Sequence, residues 1–378
     1  MTGIGTARRW LISGDSHVME PLDMWQTALG ARWGEAVPRI VASNGTEQGR
    51  FFFTGREHIR MGEVVAERTT DRMTLASRDP AVRLSCLDED GVYAEVISPT
   101  WLLFTLRAAE ADLVRDCCAV YNDWIAEFCS HAPKRLGGTA LVHLADVDRA
   151  VAELERVAKK GTIRCVIINN DAHPGWAPYR DARYDRFWAC AAEIGMPVQL
   201  HIITGNARDP FTLQRHEFAD MPRVFLGLFA DAGGPFLNEF IYGGIMDRHP
   251  ALKLMFAEYE VSWLTYWLMI AERIERDIAP IFKLTPPRQP VRAYLARVHH
   301  GLVDELYIDK VLDVVDTRTL IWGSDFPHIR STYPNSHAVV ERVFGHLGQA
   351  ALDAITVENA ARLFKFELPP AASAQAAE

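Results

Sequence analysis

Short apolar or β-branched runs alternate with longer helix-period stretches along most of the chain. The runs lie at residues 9–14, 93–100, 135–144, 162–169, 196–202, 252–258 and 319–325, with a weak one near 305–308. Between them, apolar residues recur at helical spacing over 109–132, 147–160, 185–194, 260–278 and 336–347. Successive parallel strands need a crossover to bring the chain back, so this alternation predicts a parallel α/β sheet. Eight candidate strands suit a closed (β/α)8 TIM barrel better than an open doubly wound sheet, although residues 224–229 compete for a place.

Two stretches break the alternation. Residues 40–80 contain RFFFTGRE, which reads as a hairpin turning at Thr54-Gly55 ahead of a charged, irregular segment. An insertion after the first strand belongs over the C-terminal mouth of a barrel, in the position of a lid. Residues 204–223 make a second long excursion, after the fifth strand. Residues 1–366 therefore read as one domain and the low-complexity stretch 367–378 as a disordered tail.

Charge and cysteine usage narrow the partners. A formal net charge of -9, with no basic stripe, argues against nucleic acid and leaves a small molecule as the expected partner. Six irregularly spaced cysteines make neither a disulfide framework nor a cysteine zinc site. Cys117 and Cys118 fall in a helical pattern and read as buried thiols. MTGIGTARRW carries no apolar run and no stretch approaches a membrane span, so the expectation is a cytoplasmic protein with no membrane association.

Four residues at three strand ends carry the chemistry. Asp15 and His17 close the first run as D-x-H, and residues two apart on a strand face one side. His201 ends MPVQLH and Asp325 ends LIWGSD, where barrels of this kind place catalytic groups. Each has a plainer reading: a turn or cap for Asp15, a surface residue for His17, a hydrogen-bonded core residue for His201, a helix cap for Asp325. Together, two imidazoles and two carboxylates suit a borderline divalent ion. Glu258, at the end of LKLMFAE, and His328, three residues past Asp325, are candidates for contact with metal-linked water or substrate. A buried carboxylate paired with arginine and a structural hydrogen bond are their alternatives. Glu20 either orients His17 or caps the Pro21 turn, and His143, His173 and His216 are weaker candidates. Trp263, Tyr266 and Trp267 have helical spacing that favours core or dimer packing over substrate binding.

GDSHVMEPLDMW, MPVQLH, LKLMFAEYEVSW, WGSDFPH and ITVENAARLFKF resemble the amidohydrolase-related family, in the branch that also contains nonoxidative aromatic-acid decarboxylases. The resemblance runs from about Trp10 to Phe366. It implies a (β/α)8 barrel, one catalytic divalent metal, usually Zn2+ and sometimes Mn2+, and a homodimer. It puts Asp15 and His17 in the places of the first-strand ligands, His201 in the fifth-strand place and Asp325 in that of the eighth-strand carboxylate.

Three activities are compatible with such a site. In the first, metal-activated water hydrolyses a carbonyl-type bond of a small aromatic or cyclic substrate, with Asp325 as proton shuttle. In the second, an aromatic acid loses CO2 while Asp325 protonates the ring. The third is a barrel that holds metal without catalysis. Hydrolysis is the expectation, because AEYEV puts Glu258 where the decarboxylases have histidine. GGPFLNEFIYGG also lacks the histidine expected there, and a third negative charge would oppose an anionic substrate.

Overall fold

The computed structural model describes residues 9–61, 71–106, 110–172, 175–204, 233–285, 287–328 and 330–368. After β1 (Leu11–Val18), three strands, β2 (Arg39–Ser43), β3 (Gln48–Phe53) and β4 (His58–Arg60), form a small antiparallel sheet. The main sheet runs in chain order from β1 through β5 (Val92–Pro99), β6 (Leu136–Leu141), β7 (Ile163–Ile168) and β8 (Val198–His201). It continues through β9 (Leu254–Ala257) and β10 (Val298–Leu302) to β11 (Leu320–Trp322). All its pairings are parallel, and helices such as Ala111–Ser130, Val147–Ala158, Asp185–Ile194 and Ser262–Arg273 return the chain between strands. This is the eight-stranded barrel that the alternation predicted.

The ring closes at a seam between β1 and β11. There the Asp325 N–H donates to the Asp15 carbonyl at 3.1 Å, and the His17 N–H to the Phe326 carbonyl at 2.6 Å. The two chains approach so closely because glycines face the seam. A Cβ on Gly14 would overlap Ile321 Cγ2, and one on Gly323 would stand 2.9 Å from Asp15 Cβ. Glycine in GDSH and in WGSD thus follows from packing.

Barrel strands are buried on both faces, as expected where side chains fill the inside and helices cover the outside. Ile12, Val96, Met255 and Ile321 pack inside the barrel against Phe364 and Phe366 of the C-terminal segment. In the helix Ala111–Ser130 the buried stripe includes Leu113, Cys117, Cys118, Tyr121 and Ile125, so the adjacent cysteines are buried thiols.

The seventh strand departs from expectation. It is Val298–Leu302, VHHGL, and the stretch 305–308 lies beyond it. Adjacent histidines and a glycine hide this strand from a search for apolar runs, yet all its residues are buried. Glu305 instead accepts hydrogen bonds from the Val261 and Ser262 N–H groups at the start of a helix. Residues 224–229, the 204–223 excursion beyond Thr204, and the tail beyond Leu368 lie outside the described residues.

RFFFTGRE forms the expected hairpin: β3 and β4 pair, Gly55 adopts a φ of 92°, and the Thr54 hydroxyl accepts from the Glu57 N–H. Phe52 of β3 packs against Trp101, the first helical residue after β5, with ring centroids 5.1 Å apart. The small sheet therefore sits at the C-terminal mouth, as expected of a lid. Among the described residues, no helix is long and apolar enough to cross a membrane.

Candidate metal centre and active site

All the candidate ligands stand at the C-terminal ends of barrel strands. In β1 a bulge intervenes: from Ser13 to Ser16 it advances three residues while β5 advances two, from Glu95 to Ile97. Asp15 and His17 both still enter the mouth, with Asp15 Oδ1 3.9 Å from His17 Nε2. His201 is the last residue of β8, Glu258 follows β9 directly, and Asp325 lies just past β11. Ile203, Glu258, Glu260 and Asp325 have φ of 80°, 61°, 51° and 53°, so left-handed strain gathers at this rim.

The imidazoles define the centre. The Nδ1–H of His17 donates to the Pro99 carbonyl at 2.8 Å, and that of His201 to the Ile202 carbonyl at 3.0 Å. Each Nε2 then carries a lone pair into the cavity, and the two Nε2 atoms are 3.3 Å apart. Lone pairs at that separation repel unless a proton or a cation lies between them. His17 Nε2 is 3.7 Å from Asp325 Oδ1, and His201 Nε2 is 3.7 Å from Asp15 Oδ2 and 3.6 Å from Glu258 Oε2. Tetrahedral ligands at roughly 2.1 Å from an ion stand about 3.4 Å apart, so this donor set fits a divalent ion. Asp15 Oδ2 is buried and accepts no hydrogen bond. Two overlapping groups have ligand atoms within 4.8 Å: Asp15, His17, His201 and Glu258, and His17, Glu258, Asp325 and His328. Every strand-end candidate is thus brought together.

Burial and crowding set the electrostatics. Burial raises the pKa of Asp15 and holds that of His17 well below the usual imidazole range. Burial also opposes charge on His201, but Asp15 and then Glu258 outweigh it and lift its pKa to about 9. A proton on His201 thereby relieves the facing lone pairs where a metal would otherwise do so. Burial first, and Asp325 next, push Glu258 up to about 7.

Around this centre the sequence candidates divide. His328 Nδ1 lies 2.7 Å from Asp325 Oδ1, its Nε2 is 2.9 Å from Thr100 Oγ1, and its ring stacks on His17 with centroids 4.0 Å apart. Glu20 does not orient His17; its carboxylate accepts from the N–H groups of Thr100, Trp101 and Leu102 and caps the helix that follows β5. His143 is buried and meets Trp176 edge to face. His173 and His216 lie outside the described residues. Trp263 packs on Phe256 and Trp267 lies over Gly234, whereas Tyr266 is 68% exposed.

Sequence reasoning missed the residues that hold these groups from behind. Asn170 donates to the His201 carbonyl at 2.7 Å. Arg83 is fully buried, pairs with Glu95, and donates to the His17 carbonyl at 2.6 Å. A signal existed: Arg83, Cys86, Leu87 and Asp90 occupy one buried helical stripe, so two charges stand in an apolar phase.

A profile of the amidohydrolase family matches residues 70–366, over three quarters of the chain. A gamma-resorcylate decarboxylase of Rhodococcus jostii (strain RHA1) is 27% identical over 184 residues, 46% of this chain. That match spans only about half of the relative's length, 54%. Another, from Rhizobium sp. (strain MTP-10005), is 23% identical over 305 residues, 75% of this chain and 86% of the relative. Among solved structures, an amidohydrolase from Mycobacterium avium subsp. paratuberculosis K-10 superposes with a TM-score of 0.77 at 18% identity, covering 95% of this chain and 100% of that one. A dihydroxybenzoic acid decarboxylase from Polaromonas sp. JS666, with bound manganese and 2-nitroresorcinol, gives 0.65 at 16% identity, covering 94% and 97%.

The decarboxylase relatives overturn the expectation of hydrolysis. His328 supplies an imidazole from the loop after β11, where no search of the stretches after β8 and β9 would find it.

Proposed function

This chain belongs to the amidohydrolase family, and from that footing we propose that it is a metal-dependent nonoxidative decarboxylase of a small hydroxylated aromatic acid. One observation carries the metal reading: two imidazole Nε2 lone pairs face each other at 3.3 Å, ringed by carboxylates. The relatives' decarboxylase activity supports the reaction class.

Asp15, His17, His201 and Asp325 would hold the ion, with Glu258 beside them. Manganese is favoured by the Polaromonas structure, and zinc suits the same nitrogen and oxygen donors. When bound, the ion supplies Lewis acidity toward a substrate carboxylate and its neighbouring hydroxyl. Asp325 takes up the proton given up by that hydroxyl and delivers it to the ring carbon that bears the carboxylate, and solvent later returns a proton to the phenolate. The carbon–carbon bond then breaks, its electron pair returns to the ring, and CO2 leaves. No electron is gained or lost overall. His328 steadies Asp325 from one ring nitrogen and is itself fixed at Thr100 through the other. Glu258 borders the same centre, its Oε2 3.6 Å from His201 Nε2. Residues 1–366 act as a single catalytic domain, and the active form is a homodimer.

The test is CO2 release from a panel of hydroxybenzoates by fully metallated protein. Turnover of a benzoate with a hydroxyl beside its carboxylate is expected. No release from any member of the panel would discard the proposal.

A further inference from the structure

Arg83 lies at the β1–β11 seam, behind the candidate ligands. Its Nε and Nη2 donate to the two carboxylate oxygens of Glu95 on β5, at 2.6 and 2.9 Å. Nη1 donates to the His17 carbonyl at 2.6 Å. Nη2 also reaches Ser16 Oγ at 3.1 Å and the Phe326 carbonyl at 3.4 Å, and the guanidinium lies 4.8 Å from the Phe326 ring centroid. One rigid, planar group therefore touches the backbone of His17 and of the residue after Asp325. The seam otherwise closes through single hydrogen bonds such as the His17 N–H to the Phe326 carbonyl. The separation of these two backbones sets how far Asp15 and His17 stand from Asp325.

A buried ion pair is weak evidence of stability for its own sake, since apolar residues of like size commonly replace such pairs without loss. Glu95 alone satisfies only one edge of the guanidinium. Its other hydrogen bonds all go to the strands and loops that carry the candidate ligands.

We propose that Arg83 is a positioning residue for the metal centre, its guanidinium fixing the spacing of the ligand-bearing backbones across the seam. The proposal rests on the metal reading given above. Groups behind a metal's ligands typically alter affinity by about 10- to 100-fold. Lysine cannot substitute, because a single ammonium cannot serve Glu95 and two carbonyls in one plane.

The test compares wild type, the apolar pair Arg83→Met/Glu95→Leu, and Arg83→Lys. Three quantities are read: apoprotein melting temperature, Mn2+ affinity by competition with a chromophoric chelator, and the visible spectrum of the Co2+-loaded protein. The expected result is a melting temperature near wild type for the apolar pair, Mn2+ affinity lower by about 10-fold or more in both variants, and a shifted Co2+ spectrum. Wild-type affinity and spectrum in either folded variant would overturn the proposal. If neither variant folds, the pair is a stability element and the positioning role falls. A wild-type protein that binds no Mn2+ would instead remove the metal reading, and this proposal with it.

Discussion

His328 and Asp325 are joined side chain to side chain at 2.7 Å across three residues of the loop after β11. The same imidazole stacks on His17 at 4.0 Å and meets Thr100 at 2.9 Å. One ring thus links the end of β11, the end of β1 and the start of the helix after β5. Asp325 thus has an imidazole against one oxygen and Glu258 as its neighbour across the centre. That arrangement suits a group that must face both a metal and a substrate carbon.

Asp325→Asn should lower decarboxylation by about 100- to 10,000-fold, because an amide ligates weakly but carries no acidic proton. Part of the metal should remain bound. The check is CO2 release measured beside metal content per chain. Activity within tenfold of wild type would remove Asp325 as the proton donor.

His17→Ala and His201→Ala should each fold normally by circular dichroism yet lose most bound metal. The Asp15→Ala chain should fold as well, since these side chains line the mouth while the packed interior is built from residues such as Ile12 and Met255. Ligand-linked stabilisation should vanish with the metal: an ion at 100 times its dissociation constant stabilises the wild type by about 2.7 kcal/mol. Melting temperatures with and without Mn2+ check this. A His201→Ala protein that keeps its full metal complement would sink the ligand assignment.

Much of the barrel was legible because its strands are apolar on both faces, and the residues that end three of them are polar. Asp15, His17, His201 and Asp325 stood out as charged or imidazole groups closing apolar runs. β10 was misplaced because His299 and His300 masked a buried strand, and burial of an imidazole among Phe256 and Trp263 leaves no periodic trace. The buried stripe of its helix marks Arg83, but its role was not legible, because its partners, Glu95 and the carbonyls of His17 and Phe326, come from three separate segments. The reaction class was not legible because the imidazole beside Asp325 is His328, on the loop after β11, and not a residue of the stretches after β8 and β9. The burial of Glu258 beside Asp325, which pushes its pKa up, is likewise a tertiary property.

Dimer formation should use the helical stretch that follows β9. Tyr266, Met269, Ile281 and Phe282 are 68, 55, 74 and 70% exposed, an apolar surface suited to burial against a second copy. Sedimentation at micromolar concentration should give a dimer, and Tyr266→Glu/Phe282→Glu should weaken it by about 100-fold or more. A wild-type monomer under those conditions refutes the expectation.

Acid sensitivity should trace in part to β10. His300 is fully buried, neither ring nitrogen has a hydrogen-bond partner, and its ring packs against Phe256 and Trp263 with centroids 5.9 and 5.8 Å away. Burial, followed by neighbouring His299, pushes its pKa down to about 3. Burial, followed by Lys253 and Arg362, takes His299 to about 4. In the unfolded chain both titrate near ~6.5, so below that pH the unfolded state binds more protons. Their contribution is therefore fully present above pH ~6.5 and declines as pH falls toward the two folded values. Each histidine costs about 1.4 kcal/mol per pH unit across that window, so moving from pH 6 to pH 5 should remove roughly 2 kcal/mol for the pair. His300→Phe keeps a ring between Phe256 and Trp263, removes two orphaned polar atoms and abolishes one titration. Urea midpoints of the metal-free proteins at pH 6 and pH 5 should fall less for this variant than for wild type, by about half of the pair's contribution. An equal fall in both would mean that His300 takes up its proton without unfolding, and that the strand reaches water.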